Sequence, residues 1–344
     1  MVTTLIKINH MLRFHAYVRQ NGTYWRTIIR FSKATVALLA GFLAACAQEV
    51  ETTDAPGWRI APEGDLNAFF DCLDEEGASL VAAHRGGPAK GYPENALETF
   101  KHTLFEAPAL MEIDVATSSD GVLYLMHDDM LDRTTTGSGP ANALPWAEVE
   151  KLRLKDDDGR QTKFAPTRFD EALEWAKGRT ILEVDFKRTT KFEAVIDEIR
   201  RQHAEDSVIL IAYTLAQAEK LHRLMPEAMI SLSLASQSEL NRAVAEGIPA
   251  DRLLGFTGVE APNPRLFGAL AERDVEVVFG TLGGADSIDA EIARSGDEGA
   301  YADLSRDGVD IIATDRPIEA QKALEEAGRA AKSGACGVSG PSVD

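Results

Sequence analysis

The sequence predicts an α/β chain folded as a (β/α)8 barrel (TIM barrel), with a small hairpin inserted after the second strand. Three observations support this. Eight short apolar runs recur within residues 65–328, each suited to a parallel strand buried on both faces. Helical patterns of apolar residues separate most successive runs. Eight such units fit the barrel's usual size of about 250 residues. The alternative is a doubly wound open sheet, but no Gly-rich nucleotide-binding fingerprint follows the first run.

The candidate strands are Leu80–His84, Leu110–Val115, Thr180–Lys187, Val208–Tyr213, Met229–Leu234, Leu253–Thr257, Val275–Thr281 and Asp310–Thr314. The helical patterns are Leu97–Phe105, Arg168–Ala176, Phe192–Arg201, Leu215–Leu224, Ser238–Glu246, Pro264–Arg273 and Asp286–Ala293. A further helix is expected over Asp65–Glu76, where Leu66, Phe69, Phe70 and Leu73 recur at helical spacing. Val122–Met126 follows Asp120-Gly121, a turn signal, and reads as the added hairpin strand. The polar stretch from Leu131 to Pro166 then forms a long loop. Long loops on the C-terminal face of such a barrel generally serve the active site.

The chain has 344 residues, 44% hydrophobic and 26% charged. Those fractions are globular and exclude wholesale disorder and collagen-like or coiled-coil architecture. The net charge of −19 argues against nucleic acid as a partner. An anionic substrate stays possible, because a bound cation or a local basic site reverses the field within one cleft.

The charge is uneven. Residues 1–45 carry six basic side chains and no acid, and they end in the apolar run Ala34–Ala45. That is the pattern of an export signal, and the run is too short to span a membrane comfortably. The run closes on Leu43-Ala44-Ala45-Cys46, which resembles a bacterial lipobox. Residues 1–45 are therefore expected to be a lipoprotein signal peptide, and Cys46 the lipidated residue. The domain would then be lipid-anchored and face the periplasm or the cell exterior. An ordinary signal peptide or a retained anchor is the alternative. Residues 46–64 read as the lipidated Cys and a tether, residues 65–328 as the barrel, and residues 329–344 as a flexible tail. Cys72 and Cys336 have no metal-type spacing; a bridge between them is permitted in an oxidising compartment but not indicated.

Chemistry in such a barrel belongs at the C-terminal ends of the strands. The first candidate strand ends in His84-Arg85-Gly86-Gly87, and the second contains Glu112-Ile113-Asp114. The hairpin ends in His127-Asp128, and the third strand carries Glu183-Val184-Asp185-Phe186-Lys187. Side chains alternate along a strand, so Glu112 shares a face with Asp114, and Glu183 with Asp185 and Lys187. If both faces point inward, three or four carboxylates converge, and a divalent cation with hard oxygen ligands, Mg²⁺ or Ca²⁺, would relieve their repulsion. Strand-end carboxylates facing solvent or paired with arginines are the alternative. His84 and His127 are candidates for general acid and base, and Arg85 and Lys187 for holding an anionic oxygen.

These blocks together resemble the glycerophosphodiester phosphodiesterases. The matching segments are His84-Arg85-Gly86, Pro93-Glu94-Asn95, Glu112-x-Asp114, His127-Asp128, Arg133-Thr134-Thr135 and Gly137-x-Gly139. The likeness is strongest over residues 80–187, and Gly308–Pro317 resembles the family's last-strand segment. The resemblance implies one divalent cation on Glu112 and Asp114, with His84 and His127 as acid and base. It implies Arg85 and Lys187 on phosphate oxygens, and Glu94 and Asn95 supporting the metal and substrate shell. Two departures stand out. The family usually has Glu-x-Lys on the third strand, so Asp185 is expected to take the third ligand position, with Glu183 in reserve. The seventh strand often carries a Trp near its end; here Phe279 is expected to fill part of that wall.

The implied activity is metal-dependent hydrolysis of small-molecule glycerophosphodiesters to glycerol 3-phosphate and an alcohol. The membrane is involved only through a lipid on Cys46. One rival is phospholipase D-like cleavage of lysophospholipids, which an apolar rim on residues 131–166 would favour; only Leu144, Trp146, Leu152 and Leu154 offer one. The other is a non-catalytic phosphodiester-binding lipoprotein. Its mark would be loss of a histidine or a ligand carboxylate, and none is lost here.

Overall fold

The computed structural model describes residues 14–20, 23–29, 57–62 and 64–341. It divides into two compact units, Met1–Thr52 and Thr53–Asp344. In the first, the described residues form an antiparallel hairpin of β1 (Phe14–Gln20) and β2 (Thr23–Ile29). The run Ala34–Ala45, Cys46 and the first part of the expected tether lie outside the described residues.

The second unit is the barrel. Its eight parallel strands are β4 (Leu80–Ala83), β5 (Ala109–Thr117), β7 (Leu182–Phe186), β8 (Val208–Ala212), β9 (Met229–Ser233), β10 (Leu253–Phe256), β11 (Glu276–Gly280) and β12 (Ile311–Thr314). They pair in that order, and β12 pairs back onto β4, closing the ring. The short β6 (Leu123–Leu125) runs antiparallel on the end of β5, with Val115 opposite Leu125. All eight predicted runs are therefore strands of one barrel, and the predicted hairpin stands at its rim.

The helices α1 (Leu66–Glu75), α2 (Leu97–Glu106), α3 (Trp146–Val149), α4 (Phe169–Ala176), α5 (Phe192–Gln202), α6 (Leu215–Leu224), α7 (Gln237–Ala245), α8 (Pro264–Ala271) and α9 (Ile288–Ser295) follow the chain. Then come α10 (Gly299–Arg306) and α11 (Pro317–Glu326); these two, and the short α3 inside the expected loop 131–166, are not among the predicted helices. A glycine opens α10 and a proline opens α11; the proline occupies a first-turn position that needs no N–H partner.

Alternation along the strands puts one set of side chains inside. Leu80, Leu110, Ile209, Leu254 and Ile311 meet Phe69 and Phe70 of α1 in a single apolar cluster. α1 thus closes the barrel at the N-terminal ends of its strands. Asp65 caps it by accepting from Ala68 N at 3.0 Å. Burial here is complete enough that a Phe70→Ala change, at a residue 2% exposed, costs roughly 3–5 kcal/mol.

The flexible tail expected for residues 329–344 is packed instead over its described part, residues 329–341. β13 (Val338–Ser339) pairs antiparallel with β3 (Arg59–Ile60). Val338 and Ala331 are buried in the basal cluster, and their burial holds a stretch whose Gly and Ser content reads as loose. Cys336 forms a disulfide with Cys72 of α1, Cα to Cα 5.7 Å. The bridge joins residues 264 apart, a separation no local spacing reveals. The tether also ends sooner than residue 64: Ile60 is fully buried, and its N–H donates to Arg179 O at 2.7 Å.

Candidate active site

The inward register decides the site. Across the β5–β7 ladder, Glu112 lies beside Glu183 and Asp114 beside Asp185, so both carboxylate pairs share the barrel interior. They line a cavity of about 140 Å³ at the C-terminal mouth, together with His84, His127 and Lys187. Oxygens of Glu112, Asp114 and Asp185 lie within 4.8 Å of one another. Glu183 lines the same cavity but is not in that group. Burial pushes its carboxyl up to about 7, against the Ser231 hydroxyl beside it.

The loop after β4 delivers two residues to the carboxylates. Arg85 has φ 51° and Asn95 φ 57°, both left-handed. The turn aims the Arg85 backbone N–H at Glu112 Oε2, 2.7 Å away. Asn95 brackets Asp114: its Nδ2 donates to Oδ2 at 2.6 Å, and its Oδ1 accepts from Asp114 N at 3.0 Å. Gly86 in this turn admits no side chain, since a Cβ there would stand 2.2 Å from the Phe100 ring.

The electrostatics are those of crowded acids met by few cations. Burial and the neighbouring Asp114 charge drive the Glu112 carboxyl well above its usual value, against the Arg85 N–H. Burial works the same way on Asp114, but Lys187, His127 and Asn95 overcome it and hold that carboxyl low. Lys187 Nζ sits between Asp114 Oδ1 at 2.5 Å and Asp185 Oδ2 at 2.6 Å. Burial opposes its charge, and the two carboxylates keep it protonated above its ordinary range.

Each histidine is held through Nδ1. His84 Nδ1 meets Asp315 Oδ1 at 2.6 Å, and His127 Nδ1 meets Asp128 Oδ1 at 2.8 Å. With Nδ1 committed to a carboxylate, Nε2 is the ring atom left for a substrate. Arg133 grips Asp128 with Nε at 2.7 Å and Nη2 at 2.8 Å, and Glu94 with Nη1 at 2.6 Å and Nη2 at 2.9 Å. The Arg133 contacts hold the Asp128 carboxyl well below its ordinary value.

The sequence-predicted residues therefore gather, with two refinements of role. Glu94 is engaged by Arg85 Nη1 at 3.0 Å and by Arg133, so it fixes cations. Asn95 orients Asp114. One expectation fails. Phe279 is fully buried against Phe267, centroids 6.1 Å apart, on the outer face of β11. Val278, its inward neighbour, supplies the cavity wall, with Phe256 and Leu282. Three residues went unseen in the sequence. Asp315 lies in the Gly308–Pro317 segment but carried no expected role; its neighbour Arg316 pairs with Glu298. Tyr213 donates to Asp185 Oδ2 at 3.0 Å; it was the last residue of a predicted strand, and the strand-end rule would have found it. Asp289 lies behind Asp315.

Two observations test whether a divalent cation fits. Asp185 Oδ1 is buried with no hydrogen-bond partner among the described residues. The donor set of Glu112, Asp114 and Asp185 is all carboxylate oxygen, the chemistry of a hard cation. Both fit. Arg85 Nε is likewise buried with no hydrogen-bond partner among the described residues, its ion-pair contact with Asp114 Oδ2 being long at 3.8 Å, which suits an incoming anion.

Two Nδ1-anchored imidazoles, a carboxylate cradle and two basic side chains at a barrel mouth are the groups expected of a hydrolase that cuts phosphate esters. The chain belongs to the glycerophosphoryl diester phosphodiesterase family, whose model matches residues 84–255. A glycerophosphodiester phosphodiesterase of Bacillus altitudinis is 25% identical over 262 residues, covering 72% of this chain and 98% of that one. The crystal structure of a glycerophosphoryl diester phosphodiesterase from Parabacteroides distasonis is similar at 30% identity and a TM-score of 0.75. It covers 83% of this chain and 99% of its own. An Oleispira antarctica phosphodiesterase, solved with the product sn-glycerol-3-phosphate, shares the fold at 21% identity and a TM-score of 0.55. It covers 72% of this chain and 97% of its own.

Proposed function

We propose that this protein hydrolyses glycerophosphodiesters to glycerol 3-phosphate and an alcohol. In this reading His84 and His127 are acid and base, and Glu112, Asp114 and Asp185 hold one divalent cation, Ca²⁺ or Mg²⁺. The observation that carries the reading is the pairing of two Nδ1-anchored imidazoles with three carboxylates around one small cavity. The product held by the Oleispira enzyme supports the glycerol 3-phosphate half.

The chain's own groups divide the work. Arg85 Nε and Lys187 Nζ hold the phosphoryl oxygens, so the diester's charge meets two fixed cations. One imidazole Nε2 takes the proton of the attacking hydroxyl, either water or the glycerol 2-OH. The other Nε2 gives a proton to the departing alcohol oxygen as its bond to phosphorus breaks. Attack by the 2-OH gives a cyclic phosphate, which water then opens. A cation on the three carboxylates supplies neutralisation of charge on the phosphoryl oxygens.

A soluble diester is preferred to a lipid one. Leu154 is buried, while Leu144, Trp146 and Leu152 pack onto the insertion's own cluster around Leu131 and Val149. These are the apolar groups that a lipid-binding rim would need exposed. Export and a lipid anchor on Cys46 belong to the same proposal; the Cys72–Cys336 bridge supports export, since disulfides persist in oxidising compartments.

The test is release of glycerol 3-phosphate from glycerophosphocholine and glycerophosphoethanolamine by the purified chain. It is run with EDTA, then with Ca²⁺ or Mg²⁺, with His127→Ala as control. Release that needs both cation and His127 is expected. A folded protein giving no release with either cation would overturn the proposal.

A further inference from the structure

We propose that Asp289 is the residue that positions His84, acting through the turn after β12; this takes from the preceding section that His84 exchanges a proton with substrate. Asp289 lies in the first turn of α9 and is 3% exposed. No cationic side chain pairs with it among the described residues, which is unusual for a carboxylate so deeply buried. Instead three donors converge on it. Tyr301 Oη of α10 donates to Oδ1 at 2.7 Å. Thr314 Oγ1, at the end of β12, lies 2.8 Å from Oδ1 and 2.9 Å from Oδ2. The backbone N–H of Asp315 donates to Oδ2 at 2.7 Å.

The last contact matters for chemistry. Asp315 is the carboxylate that holds His84 Nδ1 at 2.6 Å, and among the described residues its other oxygen takes only Gly283 N, at 3.2 Å. Its side chain is therefore lightly held, and the place of its backbone decides where the carboxylate stands. That place is fixed from one side by Asp289, whose own backbone N–H is tied to Thr281 O at 2.8 Å. Thr314 Oγ1 also accepts from Arg316 N at 2.9 Å, so the whole turn Thr314-Asp315-Arg316 is bound to α9. The chain of contact runs Asp289, Asp315, His84.

The chemistry separates a need for an acceptor from a need for charge. In Asp289→Asn the amide oxygen still accepts from Asp315 N, and the hydroxyls of Tyr301 and Thr314 reverse to accept from the amide nitrogen. In Asp289→Leu the Asp315 N–H loses its partner. A reacting group displaced by about 1 Å costs up to 10²-fold in rate.

The test uses the full chain carrying each change. Two readouts are taken: kcat and KM for glycerophosphocholine, and the downfield imidazole proton of His84 Nδ1, assigned by its loss in His84→Gln. For Asp289→Leu the expected result is kcat lowered at least tenfold, KM within about twofold, and the downfield proton gone. Asp289→Asn keeps both. In an Asp315→Ala background, Asp289→Leu costs less than about twofold, because its path to His84 is already cut. The proposal is overturned if the leucine variant keeps the proton and kcat, or loses the same factor in both backgrounds. Should the leucine variant not fold, Thr314→Val is read by the same criteria with a severalfold loss. If the unaltered chain turns over no diester, the activity reading fails, and the proton signal alone decides Asp289.

Discussion

Replacing Lys187 with Met tests the site's charge balance. The ammonium is 18% exposed and bridges Asp114 and Asp185, whose side chains are 2% and 5% exposed. Removing one partner of a buried ion pair costs roughly 3–5 kcal/mol. Unfolding entropy of about 2.1 cal/mol/K per residue, over the Thr53–Asp344 unit, gives roughly 0.6 kcal/mol per degree. The metal-free variant should therefore melt about 5–8 °C below the wild type. Added Ca²⁺ or Mg²⁺ should raise its melting temperature more than that of the wild type, since no ammonium then competes for Asp114 and Asp185. Turnover should fall by at least about 10² even with saturating cation, because the charge proposed to hold phosphate is gone. The assay is differential scanning calorimetry in EDTA and over a cation series, beside glycerol 3-phosphate release. An unchanged melting temperature in EDTA, or a smaller cation-induced rise in the variant, would refute the reasoning.

Three further outcomes are expected. His84→Gln and His127→Gln should each lower kcat by about 10²–10⁴ with KM and melting temperature nearly unchanged; retention of a tenth of the activity by either counts against its role. Cys72→Ser with Cys336→Ser should cost roughly 2–5 kcal/mol, read as a thermal shift, while 25 °C activity persists because the bridge lies at the barrel's base. Burial, with Asp310 and other acids near it, pushes Glu276 up to about 8, and burial pushes Asp310 up to about 6. Both folded values exceed the unfolded ones, so their stabilising proton uptake is complete near pH 4 and is lost as pH rises toward 8. Melting temperature should fall over that window, and Glu276→Gln should raise it at pH 8.5 by roughly 2–5 °C. A variant with the wild-type pH profile would contradict this.

Much of this was legible in the sequence, for a physical reason. Parallel strands buried on both faces appear as bare apolar runs, so Val208–Ala212 and Met229–Ser233 stand out. Charged residues are costly inside a barrel unless paired or bound, so His84, Glu112, Asp114, Asp185 and Lys187 on otherwise apolar runs point to the site. What escaped depends on contacts between distant residues. His84 and Asp315 lie 231 positions apart, and neither neighbourhood names the other. Cys72 and Cys336 meet only because α1 and the C-terminal segment share the same end of the barrel. Phe279 was misplaced by one step of strand alternation, which sends every second side chain outward. The segment after residue 329 has the composition of a tail, and only a few buried groups, Ala331 and Val338 among them, fasten it.

The pairing of β3 with β13 has a practical consequence. Both described ends of the barrel unit, near residues 57 and 341, leave from the closed end, beneath α1 and opposite the catalytic mouth. A bead, a fusion partner or a surface joined at either end therefore attaches to the molecule's back. Substrate approaches along the opposite direction, so attachment at residue 57 or residue 341 of the barrel unit leaves the mouth outward, as a cup fixed by its foot.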